Sequence, residues 1–191
     1  IPAETLFYVG DMQPMSWQDM ASMRHTLMPG ANLDLQKEEA TAWLDTLTGH
    51  SEGTLPGVRL MASLYLNYLQ VLSQPDAKPE NVGLSDRVDM AMYTAGALPV
   101  LRMRLGNEAA FDQFMARVMK QAKVSPEQLT LEQLSYQRFA LNADQNKPIG
   151  LAIAKKDGYA IFTLDPGKLL PPEQGLKLAF GLTAPAQSLA Q

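Results

Sequence analysis

Hydrophobic and polar residues follow a helical period through most of residues 1–80. A short β-branched and aromatic run at 5–9 predicts a strand, and three segments after it repeat apolar residues every three or four positions. Ser16 and Asp34 are suitable N-caps for the first two predicted helices. The third helix is the clearest, and its predicted apolar face comprises Leu60, Met61, Leu64, Tyr65, Tyr68, Leu69 and Leu72, with Arg59, Ser63, Asn67 and Gln70 on the polar side.

Residues 84–165 show strand-like alternation on both sides of one helix. The segments 87–94 and 98–105 predict a hairpin closed around Gly96, and 135–141, 149–155 and 159–164 predict three more strands. Asp157-Gly158 is a strong signal for a tight turn between the last two. After Asn107, a suitable N-cap, a clean apolar stripe through 110–122 predicts the helix between the two groups of strands.

This order of elements predicts an α+β fold in a single domain, 1–191. It has an antiparallel sheet of about five strands and one covering helix, preceded by a helical N-terminal half. Within the domain, 1–80 is expected to be mainly helical after its first strand. Residues 84–165 form a strand-strand-helix-three-strand half, and 171–191 a C-terminal helix or tail.

Composition removes several classes of function. The chain has 191 residues, a net charge of -4, two histidines and no cysteine, which excludes disulfides, thiolate zinc sites and cysteine nucleophiles. Acids and bases are mixed, so we expect no nucleic-acid partner. The most apolar stretch, 55–72, is interrupted by Arg59, Asn67 and Gln70, so this segment is not expected to span a membrane. Because the first residue is Ile1, we expect either a removed leader or a piece of a longer chain.

One stretch matches the nucleophile motif of serine hydrolases. Residues 49–53 (GHSEG) fit G-x-S-x-G, which requires a strand before it, a helix after it and a later histidine. Here a predicted helix precedes the motif, and no histidine follows Ser51. The match is better explained by Gly49 ending that helix, and we predict no catalytic residues.

Two further patterns resemble metal sites. Met12, Met15, Met20, Met23 and Met28 surround His25, and thioether plus imidazole ligands suit Cu(I), although a methionine stripe on a helix usually packs in a core. The segment 142–146 (NADQN) imitates the start of a calcium loop, but Lys147 and Ile153 stand where glycine and an acidic residue belong. We therefore predict no metal and no cofactor, with copper binding kept as an alternative.

Three arginines form the one candidate binding site. In 98–105, Leu101, Met103 and Leu105 alternate with Arg102 and Arg104, which predicts one buried and one basic face. With Arg138 on a neighbouring strand, Arg102 and Arg104 could form a basic strip for an acidic partner or anionic ligand. The other interpretation is a solvated or covered face whose arginines are paired with nearby acids.

Two short blocks resemble a group of exported proteins. The opening 1–10 (IPAETLFYVG), and 98–105 (LPVLRMRL) followed by 108–111 (EAAF), are similar to uncharacterised exported proteins of Gram-negative bacteria, known only as domains of unknown function. In that group an IPADT-like strand follows the signal or lipid-attachment segment. The resemblance implies a periplasmic protein or lipoprotein of the cell envelope, and it supplies no catalytic residues.

The sequence therefore predicts a non-catalytic binding or scaffolding domain of an exported, envelope-associated protein. Its partner would be a protein or a small ligand in the envelope. The alternative is a hydrolase or copper-handling protein whose site assembles from distant residues. A deep polar pocket with a histidine or paired carboxylates would favour the alternative, and a broad apolar patch with a polar rim would favour the binding domain.

Overall fold

The structure is a computed structural model that describes residues 5–10, 15–17, 19, 32–49, 54–73, 78–144, 149–167 and 172–183. The chain divides into two compact units, and each is built from segments that are distant in sequence. A sheet unit comprises 1–13, 89–104 and 126–191, and a helical unit comprises 14–88 and 105–125. Each unit is described separately below.

The sheet unit contains a seven-stranded antiparallel sheet. The strands are β1 (Tyr8–Gly10), β4 (Met90–Ala95), β5 (Leu98–Arg104), β6 (Glu127–Leu131), β7 (Leu134–Ala140), β8 (Gly150–Lys156) and β9 (Tyr159–Asp165). Their order in the sheet is β1-β4-β5-β9-β8-β7-β6, so strands that are joined by a hairpin are also neighbours in the sheet. The mixed α+β class is confirmed, but the predicted five strands are too few.

The extra strands lie at the two edges of the sheet. β6 was not predicted, because its sequence EQLTL is largely polar and follows Pro126. It pairs with β7 through a turn in which Glu132 has a φ of 55°. The other turns match the sequence signals: Gly96 has a φ of 60° between β4 and β5, and Asp157 and Gly158 have φ values of 53° and 76° between β8 and β9.

One face of the sheet is packed by a short C-terminal helix, α4 (Pro172–Ala179), and we call this the helix face. Leu176, Ala179 and Phe180 join a core made by side chains that point to this face from β4, β5, β7, β8 and β9: Tyr93, Ala95, Val100, Tyr136, Ala152, Ala154 and Ile161. The Tyr136 and Phe180 rings lie 5.4 Å apart at an angle of 49°. The prediction that the helix after Asn107 covers the sheet was wrong, because the helix that packs on this face is α4.

The helical unit contains α1 (Leu33–Gly49), α2 (Pro56–Ser73) and α3 (Glu108–Ala122). It also has a 3₁₀ turn (Pro79–Val82) and a small ladder of β2 (Met15–Ser16) with β3 (Arg87–Val88). α1 and α2 pack through a core of Ala40, Leu44, Ala62, Leu66 and Leu69. α3, which the sequence assigned to covering the sheet, belongs to this unit and packs against α2 and the 3₁₀ turn.

The buried face of α2 differs from the predicted one. Met61, Tyr65 and Tyr68 are exposed, whereas Arg59 and Ser63 are buried. The reason is a polar contact with α3: the Ser63 hydroxyl lies 3.1 Å from the Val118 carbonyl oxygen and 2.9 Å from Gln121 Oε1. A helix-to-helix hydrogen bond therefore turns the polar side of α2 inward.

Side-chain caps define where the helices begin. Asn107 accepts a 3.0 Å hydrogen bond from the Ala110 amide, as predicted. The Ser16 hydroxyl accepts one from the Asp19 amide at 3.1 Å, but most of the helix predicted after Ser16 lies outside the described residues. The cap of α1 is Asn32, which accepts from the Leu35 amide at 3.1 Å, so the prediction of Asp34 was wrong by two positions. In the described part of the chain, no helix is long and apolar enough to cross a membrane.

Candidate binding site on the sheet

Arg102 and Arg104 lie on the helix face of the sheet, not on a separate basic face. They alternate with Leu101 and Met103 as predicted, but they share their face with the buried Leu98 and Val100 earlier in β5. The side chains of β5 that point to the helix face are therefore apolar at the start of the strand and basic at its end. Of the three residues predicted to form the buried face, Leu105 is buried, whereas Leu101 and Met103 are only partly buried.

The two arginines meet on one aromatic ring. β5 and β9 pair so that Arg104 is opposite Tyr159 and Arg102 is opposite Ile161. The guanidinium carbon of Arg102 lies 4.7 Å from the centre of the Tyr159 ring, and that of Arg104 lies 5.7 Å from it. Both distances fall within the range of cation–π attraction. We call Arg102, Arg104, Tyr159 and the adjacent Asp89 the arginine–tyrosine cluster.

Asp89 supplies the negative charge of the cluster. The Tyr159 hydroxyl donates to Asp89 Oδ2 at 2.9 Å, and Arg104 Nη1 lies 3.6 Å from the same oxygen. Arg104 Nη1 also donates to the Tyr159 hydroxyl, at 3.4 Å. Contact with Tyr159 and then the Asp89 carboxylate raise the pKa of Arg104, so this group stays charged at every physiological pH.

An ion pair in the β8–β9 turn borders the cluster. Lys156 Nζ lies 2.6 Å from Asp157 Oδ2, and Lys156 is opposite Tyr159 in the register. The hydrogen bond and charge of Lys156 lower the pKa of Asp157, with a smaller contribution from Arg102. The turn therefore adds no net charge, and the cluster with its two arginines and one carboxylate carries a single positive charge.

Arg138 lies on the same face but not in the cluster. It is on β7, and β9 and β8 stand between it and β5, so roughly 14 Å of sheet separates it from Arg102 and Arg104. Its own charge is already paired: Nε lies 3.0 Å from Asp165 Oδ2, and Nη1 lies 2.9 Å from Glu127 Oε2. The predicted strip of three arginines is thus divided into the exposed Arg104 beside the partly buried Arg102, and the separate, mostly buried Arg138.

The Arg138–Asp165 pair is built into the sheet. The two side chains are only 11% and 8% exposed, and Asp165 Oδ1 also accepts from the Gly167 amide at 2.9 Å. Burial, followed by the Asp165 charge, raises the pKa of the neighbouring Tyr136 to about 12. Gly150 leaves room for the guanidinium, because a Cβ there would lie 2.8 Å from both Cγ and Nε of Arg138.

A second surface of interest is the apolar edge of the sheet. β1 is the terminal strand on one side, and Val9 is paired with Met92, which is paired in turn with Leu101. Val9, Met90 and Met92 are 62%, 42% and 42% exposed, and Leu6, just before β1, is 81% exposed. Alternation places these strand residues on the face opposite to the helix face. We define the apolar edge surface as Leu6, Val9, Met90, Met92, Leu101 and Met103.

The helical unit also exposes large apolar side chains. Met61, Tyr65 and Tyr68 form a row along α2 at helical spacing, and Trp43 is exposed on α1. Each of them is a little under half exposed. This row provides a natural comparison for any interaction assigned to the apolar edge surface.

Several predicted sites lie outside the described residues. These are His50, Ser51 and the rest of the hydrolase-like motif after Gly49, together with Met12, Met20, Met23, His25 and Met28 of the copper alternative. Met15 is described only as a backbone partner of Val88. Among the side chains that the structure does describe, no group of three histidine or acidic residues could hold a metal ion. After β7, Asn142 Oδ1 accepts a hydrogen bond from the Ile149 amide at 2.8 Å, so this residue of the calcium-like segment bonds to the backbone before β8.

Sequence reasoning missed Asp89 and Tyr159. The signal for Tyr159 was present, because it follows a strong hairpin turn and must pair with a neighbouring strand. The sequence did not reveal that the neighbour is β5, since β5 and β9 are joined only by long-range pairing.

Comparison with known proteins does not add to this description. No family model matches the chain, and no significant match is found among curated proteins or solved structures.

Proposed function

We propose that the chain is a non-catalytic binding or scaffolding domain of an exported, envelope-associated protein, and that it binds a partner protein through the apolar edge surface. The observation that carries this proposal is the exposure of apolar side chains on two adjacent strands, β1 and β4, at the end of the sheet. Contiguous exposed apolar patches commonly mark sites where a protein binds another protein.

The composition of the edge supports a protein partner. Methionine side chains are flexible and polarizable, and they adapt to apolar surfaces of different shape. Residues 5–10 carry no charge and no proline, the residues that usually prevent a sheet edge from pairing with another chain. A partner segment could therefore extend the sheet beyond β1 and cover Val9 and Met92 at the same time.

Export is supported by the resemblance of 1–10 and 98–105 to exported proteins of Gram-negative bacteria. A chain without cysteine is compatible with that compartment, because it forms no disulfide whose state depends on the redox environment. Antibody detection after fractionation of the cells that make this chain tests the proposal. We expect the chain in the periplasmic or envelope fraction, and its recovery with the cytosol would refute export.

Site-specific photo-crosslinking tests the binding surface. A benzophenone amino acid is placed at Val9, at Tyr65 as an equally apolar control, and at the exposed polar residue Gln113. We expect a discrete adduct at Val9 that disappears when Met92→Ser is added, with little adduct at the two control positions. Adducts at Tyr65 and none at Val9 would move the interface to the helical unit and overturn the proposal.

A further inference from the structure

We propose that the arginine–tyrosine cluster is a binding site for a ligand that carries carboxylate groups, with Asp89 as its internal competitor. This inference goes beyond the proposed function, because the cluster and the apolar edge surface lie on opposite faces of the sheet. Either site can exist without the other.

The first step is the pre-organisation of two like charges. Arg102 and Arg104 are two positions apart on one strand face, and both guanidinium groups lie against the Tyr159 ring. Stacking on a tyrosine restricts a guanidinium that would otherwise move freely in solvent. A ligand that binds to them therefore loses less free energy in ordering the side chains.

The second step is that Arg104 makes only long contacts with its partners Asp89 and Tyr159. Its contacts with Asp89 and Tyr159, at 3.6 and 3.4 Å, are longer than the ~2.7–2.9 Å of a charge-assisted hydrogen bond to a carboxylate. The Arg104 side chain is 57% exposed, and its planar fork has more N–H donors than these two contacts use. An external carboxylate could approach Arg104 in the bidentate geometry that Asp89 does not adopt.

The third step is the nature of the ligand. The cluster already accommodates a carboxylate, since Asp89 Oδ2 accepts from the Tyr159 hydroxyl at 2.9 Å. Two guanidinium groups lie side by side on the Tyr159 ring, so a ligand with two carboxylates can contact both arginines at once. Such a ligand has two sources: a small dicarboxylic acid, or an acidic segment of a protein. Both would compete with Asp89 for Arg104.

Calorimetric titration at low ionic strength tests the proposal with two probes, glutarate and a capped tetraglutamate peptide. The variants are Arg104→Gln, Arg102→Gln and Asp89→Asn, with Arg117→Gln on the exposed surface of α3 as a control for the same loss of charge. We expect Arg104→Gln to weaken binding by about tenfold, as for a lost charge-assisted hydrogen bond. Arg117→Gln should leave binding unchanged.

The decisive variant is Asp89→Asn, because it should act in the opposite direction. It keeps an acceptor for the Tyr159 hydroxyl and removes the competing charge, so we expect binding to become several-fold tighter. Binding of glutarate alone would indicate a small acid, and binding of the peptide alone would indicate an acidic protein segment. The proposal is overturned if the wild-type chain binds neither probe, if Arg117→Gln weakens binding as much as Arg104→Gln, or if Asp89→Asn weakens it.

Discussion

The ion pair between Arg138 and Asp165 allows a quantitative prediction about the sheet. Arg138 contacts two carboxylates, and these differ mainly in burial: the Asp165 side chain is 8% exposed, and that of Glu127 is 56% exposed. Removing a buried partner leaves an uncompensated charge and costs about 3–5 kcal/mol, whereas an exposed ion pair contributes about 0–1 kcal/mol. Because Glu127 still contacts Arg138, we expect Asp165→Ala to cost about 3 kcal/mol. Glu127→Ala should cost less than about 1 kcal/mol.

Two further variants separate charge from hydrogen bonding. Asp165→Asn keeps an acceptor for the Gly167 amide but removes the charge, so we expect an intermediate loss of about 2 kcal/mol. The double replacement Arg138→Met with Asp165→Leu removes both charges and should destabilise the chain less than Asp165→Ala. A larger loss for Asp165→Ala than for Asp165→Asn, Glu127→Ala or the double replacement is expected only if the Arg138–Asp165 pair is buried.

Urea unfolding followed by far-UV circular dichroism measures these differences. Tryptophan fluorescence is less suitable, because Trp17 and Trp43 both belong to the helical unit. Equal m-values across the series would show that the same transition is compared. If Asp165→Ala cost no more than Glu127→Ala, burial would not govern the strength of this pair, and the reasoning would be refuted.

Three other predictions concern glycines and a tyrosine. Gly83→Ala should lower the free energy of urea unfolding by about 3 kcal/mol or more, because φ is 79° and a Cβ there would collide with the backbone at the start of α3. Gly96→Ala should lower it by only about 1 kcal/mol, because φ is 60° but the space around the Cβ is open. Equal losses for the two variants would contradict this prediction. Gly150→Ala should destabilise the chain by about 1–3 kcal/mol, because the added Cβ displaces Arg138. A double-mutant cycle tests this cause: most of the loss should vanish when Gly150→Ala is made in an Arg138→Ala background. Because the pKa of Tyr136 is raised to about 12, its protonated form contributes stability that is complete below about pH 10 and is lost as the pH rises through 12. Between pH 10 and 12, the urea midpoint of unfolding should therefore fall less for Tyr136→Phe than for the wild type. If the two midpoints fell in parallel with pH, the raised pKa of Tyr136 would be disproved.

Elements with strong local signals were predictable from the sequence. α3 has a cap at Asn107 and a continuous apolar stripe, and both are observed. The β8–β9 hairpin follows from Asp157-Gly158, a pair of residues that accepts positive φ values. These features depend on residues within a few positions of one another, so no tertiary information was needed.

Features that depend on long-range contacts were not predictable. Hydropathy placed Tyr65 and Tyr68 inside and Ser63 outside, but the hydrogen bonds of Ser63 with α3 reverse that arrangement. For the candidate site, alternation correctly placed Arg102 and Arg104 on one face. It could not show that strand order would bring Tyr159 to them and leave Arg138 three strands away.

The interleaving of the two units has a consequence for how the chain can be cut. Residues 1–13 and 126–191 both belong to the sheet unit, and α3 belongs to the helical unit although it follows β5. A single proteolytic break anywhere in 14–125 therefore leaves fragments of both units on each side, and no break releases an intact unit. For the same reason, a growing chain on the ribosome cannot complete its helical unit until α3 has been synthesised, after β4 and β5 have already emerged.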